Sequence, residues 1–291
     1  MIPFLGYHHY LMILIAIAII LLCTSPLPPP TTLKRSPTRR THPANALPTA
    51  LLLAGCSSSS PLIPGIYLIN LVYAPYPPTY DPAQVNPGIT SALATLVGRA
   101  QLEARVGYFG VCISLDGASY LCSNNASSLA AQVAVDQDPL NLIWVASTFK
   151  DSIVFPYLLI VAVILSFFAF LLLATFPAWH NDSSGEERKA LPSRPLSQVT
   201  LAIVFVAAVF VLVSVLWQHT ASVAASTIVQ DLGNGSVKSG VGVTAMVLGW
   251  FGFALLLIVA IGTLVMVLSR NRVADAAEVA GIETESGESD S

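Results

Sequence analysis

The sequence predicts a four-helix transmembrane bundle, all-α within the membrane, that carries a small disulfide-pinned antiparallel β-sheet on its extracellular side. Three observations predict it. The 291 residues are 54% hydrophobic and only 10% charged, with a mean hydropathy of +0.71, whereas a soluble domain carries roughly 25% charged residues. Three segments, 151–176, 199–217 and 241–268, contain runs without Asp, Glu, Lys or Arg, starting at Ile153, Val199 and Val241. A hydrocarbon core of ~30 Å needs about 20 such residues in helical form, and barrel strands would alternate polar and apolar positions, which these runs do not. Between membrane segments lies a polar stretch that holds a pair of cysteines, Cys112 and Cys122.

The first span is irregular. Residues 11–23 form an apolar run of 13, the length of a signal-peptide core rather than of a spanning helix. A second short apolar piece, 51–56, follows a Pro/Thr/Arg-rich stretch with Lys34, Arg35, Arg39 and Arg40. Joining 11–22 directly to 51–56 gives 18 nearly uninterrupted apolar residues. The expectation is therefore that 1–22 and 51–56 are two halves of one helix, and that 23–50 is a low-complexity insertion or a mis-assigned stretch such as translated intron. With a cytosolic N-terminus the four bases would lie outside, against the positive-inside preference.

Residues 57–150 make the first extracellular loop. Within it, 104–115 reads as a strand, Asp116-Gly117 as a turn and 119–122 as a returning strand. A two-residue turn sets Cys112 opposite Leu121, and a three-residue turn that includes Ala118 sets it opposite Cys122. An oxidising compartment favours a disulfide between the two cysteines, and with it the longer turn or a bulge. Gly107 and Gly110 flank Tyr108 and Phe109, and either relieve strand twist or admit close packing.

Orientation follows from the bases near the spans. The loop 177–198 holds Arg188, Lys189 and Arg194, and Arg270 and Arg272 follow the last span, against Lys150 and Lys238 on the other side. Five against two places this loop and both termini in the cytosol. The segment 218–240 is then a second extracellular loop, and 269–291 an acidic, disordered cytosolic tail. The sequons at Asn125 and Asn234 fall outside as candidate glycosylation sites, while the one at Asn181 falls inside. In the last span Gly242, Ala245, Gly249 and Gly252 recur at spacings of 3, 4 and 3, a face on which helices approach closely, within one bundle or between copies.

Catalysis would need a nucleophile, an acid–base pair or a metal cluster, and the spans supply none. His8, His9, His180 and His219 are scattered near span ends, and Asp136 with Asp138 offers two carboxylates where calcium takes six or more oxygens. The expectation is no enzyme, no catalytic or metal site and no cofactor. Charge-free spans also argue against a voltage sensor or a secondary transporter, since intramembrane ionisable residues mark those paths.

The pattern Gly107-Tyr108-Phe109-Gly110-Val111-Cys112, with a second cysteine at Cys122 in the first outer loop of a four-helix chain, resembles a known family. It is similar to the fungal mating-factor-induced calcium regulators and membrane fusion proteins, which are claudin-like. Stretches 6–10, 54–61, 138–144, 149–157 and 216–221 look like filamentous-fungal members. The resemblance implies a multi-pass plasma-membrane protein that regulates calcium influx, low-affinity uptake included, and supports cell and membrane fusion in mating or hyphal development. Calcium would be a transported or regulated ion. Partners would be the lipid bilayer and either calcium-channel subunits or further copies of the chain, with no nucleic acid. The alternative is a tetraspanin-like adhesion scaffold without a calcium role. The claudin Trp and Gly-Leu-Trp pattern is absent, so paracellular sealing is not implied.

Overall fold

The computed structural model describes residues 4–22, 53, 55–57, 59, 63–75, 86–115, 117, 119–175 and 194–288. The expected insertion at 23–50, most of the loop 177–198 and the sequon at Asn181 lie outside them. Two compact units divide the chain: one comprises 1–19, 161–210 and 253–291, the other 20–160 and 211–252.

The first unit is helical. It takes in most of α1 (Phe4–Leu22), α5 (Tyr157–Ala174) from residue 161 on, the first part of α6 (Arg194–Gly233) and the later part of α7 (Val243–Glu288). The helices α5, α6 and α7 are each long and apolar enough to cross a membrane. Their buried faces mix small residues, Ala162, Ala169, Ala207, Ala208 and Ala260, with larger ones such as Leu159, Val204 and Leu256, while Phe167, Phe168, Phe205, Leu257 and Ile258 are exposed. Large apolar side chains on the outside fit lipid, where they cost nothing, and the alanines let backbones approach inside. The hydroxyls of buried Ser166, Thr200 and Thr263 donate to the carbonyls of Ala162, Leu196 and Val259, four residues back on their own helices. No polar group is left to face hydrocarbon at these three positions. A buried cluster of Leu11, Leu173 and Met266, with Met12 and Leu196 against it, draws on all four helices.

The second unit is built on a five-stranded antiparallel sheet in the order β4-β3-β2-β1-β5. Its strands are β1 (Ile69–Tyr73), β2 (Glu103–Val106), β3 (Val111–Ser114), β4 (Leu121–Ser123) and β5 (Val237–Val241). The registers align Cys122, Cys112, Arg105, Asn70 and Gly240 in one row across the sheet. Rows on the opposite face carry Ile113, Ala104 and Leu71, then Val111, Val106 and Ile69, all buried. Alternation of apolar and mixed rows is the period-2 signature of a sheet with one face in a core. Around it lie α2 (Pro87–Val97), α3 (Ala126–Ala130) and α4 (Leu142–Ser152). The Trp217 indole N–H donates to the Ile153 carbonyl (3.0 Å), which fixes the corner between α4 and α5 against α6.

Several expected boundaries move. The span expected over 151–176 starts at Tyr157, because α4 ends at Ser152 and Pro156 precedes the new helix, where its missing N–H costs no bond. The helix expected to end at Trp217 continues to Gly233, so much of 218–240 is helix, held by the Ser239 hydroxyl donating to the Ser226 carbonyl (2.7 Å) and by Gln230 Nε2 donating to the Ser239 carbonyl (2.6 Å). The tail expected to be disordered from 269 is helical to Glu288, its Ala- and Glu-rich sequence continuing α7. Within 51–56, expected as the second half of a helix, the described residues Leu53, Gly55 and Cys56 lie in turns. Meanwhile α1 has 19 residues, about 28 Å at 1.5 Å per residue, and its apolar part, His9–Ile20, is shorter than the three long helices.

Candidate functional site

The motif Gly107-Tyr108-Phe109-Gly110 is a tight hairpin between β2 and β3, and not the interior of one strand. Val106 pairs with Val111, and the Gly107 N–H donates to the Gly110 carbonyl (2.9 Å), which leaves Tyr108 and Phe109 at the tip. Both glycines press on the 55–56 turn. A Cβ on Gly107 would lie 2.0 Å from the Gly55 carbonyl oxygen, and one on Gly110 would lie 2.0 Å from that of Cys56. Of the two roles the sequence left open, close packing is the one observed. Gly55 is pressed in turn, since its own Cβ would lie 2.3 Å from the Ile66 carbonyl oxygen.

The two tip aromatics part company. Tyr108 is buried and its hydroxyl hydrogen-bonds with Ser214 on α6, and burial pushes its phenol well above the usual range. Phe109 is 42% exposed. One ring thus anchors the hairpin to the helix, and the other is presented outward.

Beside the hairpin the chain builds a compact polar cluster. The Arg105 guanidinium lies over the rings of Tyr120 (4.3 Å) and Tyr67 (4.9 Å), a geometry in which the ring quadrupoles attract the cation. Its Nε donates to Glu103 Oε1 (2.7 Å) and its Nη1 to the Pro64 carbonyl (3.1 Å), while the Tyr120 hydroxyl donates to Glu103 Oε2 (3.0 Å). Burial first, then the Glu103 carboxylate, push the Tyr120 phenol up to about 12. Next in the row, Cys112 and Cys122 face each other across β3 and β4 and are joined by a disulfide. The strands end at Ser114 and Leu121, so the connection is longer than either turn considered; the Gly117 N–H donates to the Ser114 hydroxyl (2.9 Å), with Gly117 at φ +71°. Cys56 is buried as a thiol that donates weakly to the Ile66 carbonyl (3.8 Å), and burial pushes it up to about 12.

Other predicted residues are placed elsewhere. Gly242, Ala245, Gly249 and Gly252 are all buried within the chain, and Gly242 precedes α7 rather than belonging to it. A Cβ there would meet the Tyr67 carbonyl oxygen at 1.6 Å. Asn125 and Asn234 sit at the start of α3 and after α6. The Asp138 carboxylate accepts from the Tyr73 hydroxyl (2.7 Å) and from the N–H groups of Leu142 (2.7 Å) and Ile143 (3.1 Å), so it serves the start of α4. Burial and that carboxylate raise the Tyr73 phenol. Among the described residues no group of three or more His, Cys, Asp or Glu could hold a metal ion. Sequence reasoning missed Cys56, Arg105, Tyr67, Tyr120 and Ser214, none of which sits in a spacing pattern of its own.

No curated protein matches the chain. Residues 89–269, well over half of it and inclusive of the hairpin, the disulfide and most of the three long helices, match a protein family. The chain belongs to the family described as Ca2+ regulator and membrane fusion protein Fig1.

Proposed function

We propose that this protein is a four-span plasma-membrane regulator of calcium influx and of membrane or cell fusion during fungal mating or hyphal development, with both termini cytosolic. The observation that carries the reading is the family match over 89–269. It is supported by the residues the match takes in: a hairpin whose two glycines, buried tyrosine and neighbouring disulfide form one rigid outer unit. The fourth span is α1, whose 19 residues and packing through Leu11 and Met12 support that assignment. The aromatic rings of Phe155, Tyr157 and Trp217, each at least half exposed beside the start of α5 and where the apolar run of α6 ends, suit the membrane–water interface.

The described parts of α5, α6 and α7 carry no Asp, Glu, Lys or Arg from Tyr157 to Ala174, from Pro195 to Gln230 and from Val243 to Ser269. A lone chain of this kind is poorly equipped to conduct a divalent cation, so control of another conductance is the version proposed, with channel subunits as the partner. The test is calcium uptake after a mating stimulus in a strain deleted for the gene, against the same strain carrying it. Reduced uptake with impaired fusion is the expected result. Normal uptake with impaired fusion would replace the calcium role by a scaffold role.

A further inference from the structure

Two Asn-x-Ser sequons fall within the described residues, Asn125-Ala126-Ser127 and Asn234-Gly235-Ser236, and their surroundings differ. Asn125 is exposed, just after edge strand β4 and just before α3. Its Oδ1 accepts from the Ser127 N–H (3.0 Å) and from the Ser127 hydroxyl (2.6 Å). The amide nitrogen Nδ2 has no partner among the described residues, and Ser127 is exposed as well. Capping therefore uses the oxygen and leaves the nitrogen open, so a substituent on Nδ2 would keep both bonds.

Asn234 is engaged at both ends. It takes φ +43°, its Nδ2 donates to the Leu232 carbonyl (3.2 Å), and its Oδ1 accepts from the Asn86 N–H (3.3 Å). Ser236 is 1% exposed, its N–H bonded to the Gly233 carbonyl (2.8 Å) and its own carbonyl accepting from the Ala74 N–H (3.0 Å). A sugar here would have to stand in the junction that joins α6 to β5 and β1.

We propose that Asn125 carries an N-linked oligosaccharide and that Asn234 does not. The donor is an oligosaccharide held on a lipid diphosphate in the secretory pathway. The Asn125 nitrogen forms a bond to the anomeric carbon, the bond from that carbon to the diphosphate oxygen breaks, the lipid diphosphate leaves with the electron pair, and one amide proton is released. The proposal rests on the extracellular placement of 57–150 in the proposed function.

The test expresses the full chain in a eukaryotic host and reads its mobility on a denaturing gel before and after an enzyme that removes N-linked sugars. Denaturation makes the readout independent of whether a variant folds. One step of mobility is expected for the natural chain, lost in Asn125→Gln and Ser127→Ala, and kept in Ser127→Thr and Asn234→Gln. No step in the natural chain, a step that survives Asn125→Gln, or one lost in Asn234→Gln overturns the proposal. A reporter separates its failure from that of the topology: Val135→Asn with Gln137→Thr places a new sequon at a residue that is 90% exposed, in an Asn125→Gln background. If the reporter gains a sugar while the natural chain has none, the site is wrong and the extracellular placement stands. If neither does, the placement falls and the proposal with it.

Discussion

Gly110 lies so close to the carbonyl of Cys56 that a Cβ would come within 2.0 Å of its oxygen. The obstacle is main chain, which cannot swing aside as a flexible side chain could. Overpacking of an ordinary core costs typically 1–3 kcal/mol. Gly110→Ala and Gly107→Ala should each reach or exceed that, since hairpin and 55–56 turn must separate. Melting of the detergent-solubilised protein is the measurement: both variants are expected to melt well below the parent, and Gly65→Ala, with nothing within 4 Å, to melt with it.

At the hairpin tip the two rings should behave differently. Tyr108→Phe removes one buried hydrogen bond, worth about 1 kcal/mol, while Tyr108→Ala empties a buried aromatic site at about 3–5 kcal/mol. Phe109→Ala should shift stability by no more than about 0.5 kcal/mol, as exposed positions usually do. If calcium influx or fusion nonetheless falls in Phe109→Ala at normal surface level, the exposed ring is a contact residue. Unchanged activity removes it from consideration.

Much of this architecture could be read from the chain, and the limits have physical causes. Charge-free runs find α5, α6 and α7 because lipid forbids charge. They cannot find the C-terminal end of α6, from His219 to Gly233, since its sequence turns polar and a helix outside lipid has no such requirement. The sheet was half visible: β2, β3 and β4 are neighbours in sequence, whereas β1 and its neighbour β5 are far apart in the chain, Ile69 pairing with Val241. Lys238, Ser239 and Gly240 give β5 no apolar alternation to detect. Two glycines bracketing two residues are also a turn pattern, and reading them as strand interior hid the β2–β3 hairpin. Arg105 and Cys56 acquire meaning only from what folding brings beside them.

The disulfide should matter through the sheet. Cys112 and Cys122 close a short loop at an edge strand, and loss of a native disulfide from a small domain typically costs about 2–5 kcal/mol. Cys112→Ser, Cys122→Ser and the double variant should all lose surface delivery and be retained in the secretory pathway. The double variant should be no worse than either single one, because one bond is lost in each case. Normal delivery of all three would show that hydrogen bonding alone holds β4.

Arg105 tests whether the polar cluster works through charge or through shape. Arg105→Lys keeps the charge but loses the planar fork that reaches Glu103 and the Pro64 carbonyl together, so it should destabilise nearly as much as Arg105→Met. Glu103→Gln, which loses the charge and one of the two accepting oxygens but leaves Arg105 its Pro64 carbonyl and its two rings, should cost less than either. Melting temperatures of the three variants in one detergent rank them. A lysine that restores full stability would show that charge alone suffices.

Cys56 gives a pH dependence with a definite sign. Its thiol has an ordinary value of 9.0, and burial raises it to about 12 in the folded protein. The unfolded chain therefore releases this proton at lower pH, and binds fewer protons than the folded chain between the two values. Stability then falls as pH rises through that window, and the contribution is fully present below about 9. In Cys56→Ala the alkaline slope should flatten, although the variant also loses packing and starts from lower stability. A thiol-specific reagent should leave Cys56 unlabelled at neutral pH and label it once denaturant opens the 55–56 turn, because the thiolate is the nucleophile and the fold suppresses it. Rapid labelling of native Cys56, read in a Cys23→Ser background so that the sequence's remaining cysteine does not react, or an alkaline slope unchanged in the variant, would mean that the turn opens on its own and that the hairpin is not sealed against it.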